Sequence, residues 1–281
     1  MGKTGLVVEG GGTRGIYAAG VLDVFLERGI RFDGVIGVSA GAIHGCSFVA
    51  NQPGRSARYY LACSRDPRFF SMRSLLMTGS YVGTQFCYRD IPERICPFDH
   101  DAFEASETEF YLTCTDVETG EAYYRLTRTL RGDAMDALRA SASLPMLSRP
   151  VSLDGRVLLD GGVADSIPLE AFERLGFERC VVVLTQPAGY RKKMVYPWIA
   201  RMMYRSRPAF LEAIRTRHIR YNATLDEVAR QEESGECVAL RPSRELRISR
   251  LERDPETILE MYELGRCDAQ SKLGAVKAFL A

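Results

Sequence analysis

Short apolar runs alternate along the first half of the chain with stretches whose apolar positions recur at helical spacing. "GLVVE" (5–9) is apolar on both faces and too short for a helix, so it reads as a buried strand. "GIYAAGVLDVFLERG" (15–29) keeps apolar residues at intervals of three and four and stops on glycine, which predicts a helix. "GVIGV" (34–38) predicts a second strand and "AGAIHGCSFVA" (40–50) a second helix. Strand, helix, strand, helix with short links implies a parallel sheet covered by helices. The stretch 51–107 mixes Pro, Arg and aromatics and predicts short helices and loops. Further strands are expected at 109–117 and 121–127, joined by the turn "ETG", with a helix at 133–144. "PVSLDGRVLLDGG" (150–162) predicts a hairpin with Asp154-Gly155 at its tip. "PLEAFERLG" opens a helix with Pro168 in its first turn, and "CVVVLTQ" (180–186) is a fully buried strand. From 197 onward the pattern is helical, interrupted by "CVALRPS" (237–243). No repeat, low-complexity tract or linker divides the chain, so one domain over 1–281 is expected.

Composition narrows the class. A chain of 281 residues that is 46% hydrophobic can bury one large core. Its net charge of +1 sets up no global field, and nothing in it resembles a nucleic-acid module. The eight cysteines never stand as C-x-x-C, so neither a zinc site nor a redox pair is expected, and each reads as a small core hydrophobe. "MGKTGLVVEGGG" lacks the apolar stretch of a secretion signal, and no run reaches the ~18 apolar residues of a membrane span. The expectation is a cytoplasmic protein with reduced thiols and no metal or other cofactor.

Two glycine-rich turns carry the candidate chemistry. "EGGGTRG" (9–15) links the first strand to the first helix and contains G-x-G-x-x-G as Gly10, Gly12 and Gly15. Such a loop turns its N–H groups toward an anion, either a pyrophosphate or an oxyanion. A dinucleotide fold also wants an acid at the end of the second strand; Asp33 precedes that strand, and its end carries Ser39 instead. "GVSAG" (37–41) has the Gly-x-Ser-x-Gly form that lifts a serine nucleophile on a sharp strand-to-helix turn, with Gly37 and Gly41 leaving room. The same spacing also serves plain close packing. If Ser39 is a nucleophile, both turns open at one sheet edge and the glycine loop supplies oxyanion donors.

A serine needs a base, and the three histidines are poorly placed. His44 lies more than a turn down the helix from Ser39, pointing away. His100 sits in "CPFDHDAF", a loop, and His218 in "IRTRHIRYN" among arginines. Each reads as a surface or packing residue. "VLLDGG" (157–162) places Asp160 at a strand end before Gly161 and Gly162. By itself that aspartate reads first as a turn-former bonded to its own backbone. Arg14 is the one charge inside the glycine loop. It reads as a contact for an anionic group or as a helix-packing residue, beside Thr13.

Taken in order, "EGGGTRG", "GVSAG" and "DGG" resemble the patatin-like phospholipase family, and within it the small bacterial single-domain members. "TDVETGE" (115–121) and "RASASLPMLSRPV" (139–151) extend the resemblance, which spans roughly 5–187. Glu9 stands where the family often has aspartate. The resemblance implies a three-layer α/β/α sandwich with a mainly parallel sheet, and a serine esterase that cleaves acyl lipids. It implies Ser39 as nucleophile, Asp160 as base, and Gly10, Gly11 and Gly12 as the oxyanion hole. The rival reading is a catalytically silent lipid-binding protein on the same fold.

One segment stands apart in charge. Residues 190–221 hold nine Lys/Arg and one Glu, leaving 28 basic and 35 acidic residues elsewhere. They also hold the single tryptophan, Trp198, with Tyr196, Met202, Met203, Tyr204 and Phe210. Cations interleaved with aromatics suit an anionic membrane surface. The alternative is a pair of ordinary helices with solvated arginines and Trp198 in the core.

Overall fold

The computed structural model describes residues 2–246 and 248–281. Eight strands form one sheet: β1 (Thr4–Val8), β2 (Gly34–Val38), β3 (Glu109–Asp116), β4 (Ala122–Leu126), β5 (Val151–Leu153), β6 (Arg156–Asp160), β7 (Arg179–Val183) and β8 (Cys237–Leu240). Their order is β5-β6-β3-β2-β1-β7-β8, with β4 paired to β3. The run β3-β2-β1-β7-β8 is parallel, and β4, β5 and β6 join antiparallel.

Both faces of the parallel strands are buried, which is why these strands are apolar without alternation. Leu6, Val8, Val35, Val181 and Val183 enter one core, while Val7, Ile36, Cys180 and Val182 enter the other. Helices α1 (Ile16–Glu27), α2 (Ala40–Val49) and α3 (Arg55–Cys63) cover the first face. Two short helices, α4 (Met72–Thr78) and α5 (His100–Ala105), flank a π-helical segment at Phe86–Ile95. Then come α6 (Met135–Ser141), α7 (Leu169–Arg174), α8 (Trp198–Met203), α9 (Pro208–Ser234) and α10 (Pro255–Leu280). Helices α7 and α9 cover the second face, and α10 lies across α1 on the first. This is the three-layer α/β/α sandwich with a mainly parallel sheet.

The contact between α1 and α10 is close because glycine stands on each side of it. A Cβ at Gly20 would strike the Tyr262 carbonyl, and one at Gly265 the Tyr17 carbonyl. The Tyr262 hydroxyl donates to buried Asp23 at 2.7 Å, and Arg266 grips both oxygens of Glu27 at 2.9 Å.

Observed elements follow the predicted ones with shortened ends. The Asp154-Gly155 tip is present with φ of 52° and 72°, the left-handed pair that a two-residue hairpin turn needs. Pro168 lies one residue ahead of α7 rather than within it, as its N-cap. "CVALRPS" proves to be a strand that extends the parallel sheet beside β7. All eight cysteines are free; six are buried, Cys87 is half-buried and Cys267 is exposed. Among the described residues no helix is long and apolar enough to cross a membrane.

Candidate active site

Ser39 caps α2 directly after β2, with φ 56° and ψ −122°. A side chain in that region costs on the order of 1–3 kcal/mol and persists only where its surroundings dictate it. They do so through close packing. A Cβ at Gly41 would strike the Val8 carbonyl and lie 2.7 Å from that of Glu9, and one at Gly37 would lie 2.5 Å from Ala42 Cα. The Ser39 N–H donates to Ser141 Oγ at 3.0 Å, and the Ser141 hydroxyl donates to the Thr113 carbonyl at 2.7 Å. Ser141 thus ties the turn to β3, a role that no local pattern announces.

Strand β3 also brings Asp160 to the serine. Val38 pairs with Thr113, and the next residue, Cys114, pairs with Asp160. Asp160 N–H donates to the Ser143 carbonyl at 2.8 Å, and Thr115 Oγ1 donates to the Asp160 carbonyl at 2.8 Å. Its carboxyl is buried. Oδ1 accepts the Gly162 N–H at 2.8 Å, so the turn-forming role is present. Oδ2 has no partner of regular hydrogen-bond geometry, and the nearby Ser39 hydroxyl stabilises the charged form. Burial outweighs that and raises the pKa, with Arg217, Gly162 N–H and Arg250 also opposing it.

Gly161 must be glycine, because a Cβ there would strike the Thr113 carbonyl. Gly161→Ala should push β6 off β3 and lose about 1–3 kcal/mol, the usual cost of overpacking. Urea midpoints of the two proteins measure it, and an unchanged midpoint would mean that the strand shifts freely.

The glycine loop runs alongside. Gly10, Gly11, Gly12, Arg14, Ser39, Asp160 and Gly162 line one polar cavity. A Cβ at Gly10 would come 2.7 Å from the Val38 carbonyl, so loop and elbow touch. Gly12 has φ +60° and abuts the Arg250 carbonyl, which accepts the Thr13 N–H at 2.9 Å. Thr13 is buried, and Gly15 packs against Ala40 and His44. Glu9 is buried too. Its carboxylate accepts the Thr185 N–H and the Tyr221 hydroxyl, each at 2.6 Å, linking β1 to the segment after β7 and to α9.

No histidine reaches the serine by hydrogen bond. His44 is buried, bonded through Nδ1 to Ser56 Oγ at 2.9 Å, and burial followed by Arg55 lowers its pKa to about 3. His100 begins α5, and His218 sits on α9 bonded to the Arg215 carbonyl. Asp33 accepts from Thr4 N–H and Oγ1, at the opposite end of β1 from the glycine loop, so it does not stand where a dinucleotide's ribose would need it.

A second, apolar cavity meets the polar one at Gly12, Ser39, Leu144 and Arg250. Ile43, Tyr60, Phe69, Phe70, Tyr88 and Leu138 are among its walls. Among the described residues no cluster of His, Cys, Asp and Glu could hold a metal ion.

The family model described as patatin-like phospholipase matches residues 6–173, which contain every motif above. The chain belongs to the patatin-like phospholipase family. A further model, a domain of unknown function (DUF6363), matches residues 207–281, the part that packs α9 and α10 onto the patatin-like sheet. The uncharacterized protein YjjU of Escherichia coli K12 is 31% identical over 209 residues, 72% of this chain and 56% of that one. The lysophospholipase NTE1 of Coccidioides immitis is 28% identical over 260 residues, 85% of this chain and 16% of that one. The chain thus spans just over half of the bacterial relative and a small part of the fungal one. The solved structure of VipD from Legionella pneumophila overlays with TM-score 0.48 and 12% identity, over 98% of this chain and 67% of that one, too loosely to add to the argument.

Proposed function

We propose that the chain hydrolyses carboxylic esters of lipids through an acyl-enzyme on Ser39. The observation that carries this reading is one junction. A serine on a strained turn faces a buried carboxylate with a free oxygen, where a polar cavity opens into an apolar one. The Ser39 hydroxyl gives its proton to Asp160 Oδ2 as its oxygen attacks the ester carbonyl. The Gly10, Gly11 and Gly12 amides, for which no acceptor is found among the described residues, stabilise the oxyanion. Asp160 returns the proton to the departing alcohol. It then takes one from water, which attacks the acyl-enzyme and frees the acid. A free aspartate has a pKa near ~3.9 and is a weak base. Burial raises that of Asp160 and makes it a better one. The apolar cavity receives the acyl chain. A fluorophosphonate probe should label the protein, with the adduct on Ser39 by mass spectrometry, and p-nitrophenyl butyrate should be turned over. Neither occurring would favour the silent lipid-binding reading.

The membrane surface belongs to the same proposal. Arg191 pairs with Asp226, Arg207 with Glu118 and Arg215 with Glu212, so part of the basic segment is neutralised locally. Lys193, Arg201 and Arg205 have no ion-pair partner among the described residues, and they flank an exposed apolar strip. Trp198 is 74% exposed, with Met194, Val195 and Met202 also bare, while Tyr204 and Phe210 are in a core. An apolar strip edged with cations suits anionic lipid. Trp198 emission should shift to the blue on anionic vesicles, less on neutral ones, and revert at high salt, since such attraction is screened within about 10 Å at 0.1 M. Arg201→Glu with Arg205→Glu should weaken the shift and leave soluble-ester turnover intact. An unmoved spectrum with every vesicle would end the membrane reading.

A further inference from the structure

The polar cavity holds more positive charge than the chain uses. Arg14, Lys192, Arg217 and Arg250 all line it, together with Glu9 and Asp160. None of the four makes a salt bridge or a side-chain hydrogen bond among the described residues, although the chain pairs many of its other arginines. Nε of Arg14 and Nε of Arg217 are buried with no acceptor. The Lys192 ammonium lies 3.7 Å from the centre of the Tyr221 ring, a weak substitute for an anion.

Four cations face two carboxylates. Glu9 has both oxygens engaged by neutral donors, and Asp160 is the candidate base. The imbalance shows in the groups themselves. Burial, then Arg217, lowers the Lys192 pKa to about 7. Burial followed by Arg250 lowers both Arg14 and Arg217. Uncompensated charge held out of water is costly, so a fold that keeps it has an anionic occupant to repay it.

Three of the four cations come from outside the patatin-like segment at 6–173, and two of these stand in a telling place. Arg217 on α9 and Arg250 ahead of α10 lie within residues 207–281, the stretch matched by the domain of unknown function. That module also presses the Arg250 carbonyl onto Gly12 and Thr13.

We infer that the C-terminal module builds a phosphate seat beside Ser39, and that the preferred substrate is an acyl ester bearing a terminal phosphomonoester. This rests on the acyl-hydrolase reading above. With Lys192 protonated, as a bound dianion would hold it, the surplus of two positive charges matches a phosphomonoester, which is close to a dianion at neutral pH because its second pKa is near ~6. Guanidinium groups suit its oxygens. A choline diester would bring one negative charge and its own cation, which this cavity repels.

The experiment compares kcat/KM for three soluble hexanoyl esters: 1-acylglycerol 3-phosphate, the matching monoacylglycerol, and 1-acylglycero-3-phosphocholine. The phosphomonoester should lead both others by about 100-fold, as expected for two or more charge-assisted bonds. Arg217→Gln and Arg250→Gln should each cut its lead over monoacylglycerol about tenfold, mainly through KM. Lys192→Gln tests the same point if an arginine variant fails to fold. Equal rates for the three esters would overturn the phosphate seat and leave the esterase standing. If no ester is turned over, the esterase reading falls, and calorimetry with glycerol 3-phosphate and with inorganic phosphate decides the seat alone. Binding of glycerol 3-phosphate that Arg217→Gln abolishes supports it, and no binding overturns it. Binding of inorganic phosphate alongside equal ester rates means a seat for free anion, and that too overturns the substrate assignment.

Discussion

Ser39→Ala should lose ester turnover by about four orders of magnitude or more, and Asp160→Asn should lose as much, with the double variant no worse. Members of one catalytic unit fail together. Asparagine retains an oxygen to accept the Gly162 N–H, so the turn survives while the carboxylate is gone. The pH profile carries a second signature. A protonated Asp160 accepts nothing, so kcat/KM should fall as pH drops through its folded-state pKa. Burial sets that value above the ordinary aspartate range. His100→Ala and His218→Ala should stay within a few-fold of wild type, and so should His44→Gln if it folds. Activity surviving in Asp160→Asn, or vanishing with one of these histidines, would remove Asp160 as base.

Glu9→Ala should cost about 3–5 kcal/mol of stability, the range for stripping one partner from a buried charged network. The change leaves the Thr185 N–H and the Tyr221 hydroxyl without an acceptor. It also leaves Arg14, Lys192, Arg217 and Arg250 facing Asp160 as their only carboxylate among the residues that line the cavity. A denaturant titration reads the loss. Added phosphate should restore part of it if the cations are what suffers, because a ligand that binds only the native state stabilises by mass action. A loss under ~1 kcal/mol would mean that the network relaxes around the gap.

The architecture was legible because its signals are local. Each parallel strand is a short apolar run, and each turn is announced by glycine, as at Gly10–Gly12 and Gly37–Gly41. What local pattern could not show is which distant residues share a cavity. Lys192 and Arg217 read as two more cations of the basic segment 190–221, and Arg250 carries no local signal at all; only the fold, with α9 over the second face of the sheet and the segment ahead of α10 against the glycine loop, gathers them. Glu9 read as a small departure at a motif position, whereas its oxygens join three elements. Trp198 was open between surface and core because a helix of six residues offers too few turns for periodicity to decide its inner face. The glycines of the first loop were visible, but not the Arg250 carbonyl that holds the loop from outside.

The glycine-lined crossing of α1 and α10 has a kinetic meaning. Tyr262 and Asp23, joined across it, are 239 residues apart in the chain. Contacts of such long range form late, since their loop-closure cost must be met before they repay anything. A chain of this size is expected to pass through populated intermediates on the way. The nascent first helix therefore waits, with its apolar face bare, until the far end of the chain arrives. The segment carrying Arg250 precedes α10 directly, so the glycine loop is clamped at that same late moment. Refolding from denaturant would then show helix and sheet content recovering first and catalytic competence trailing as a separate, slower phase.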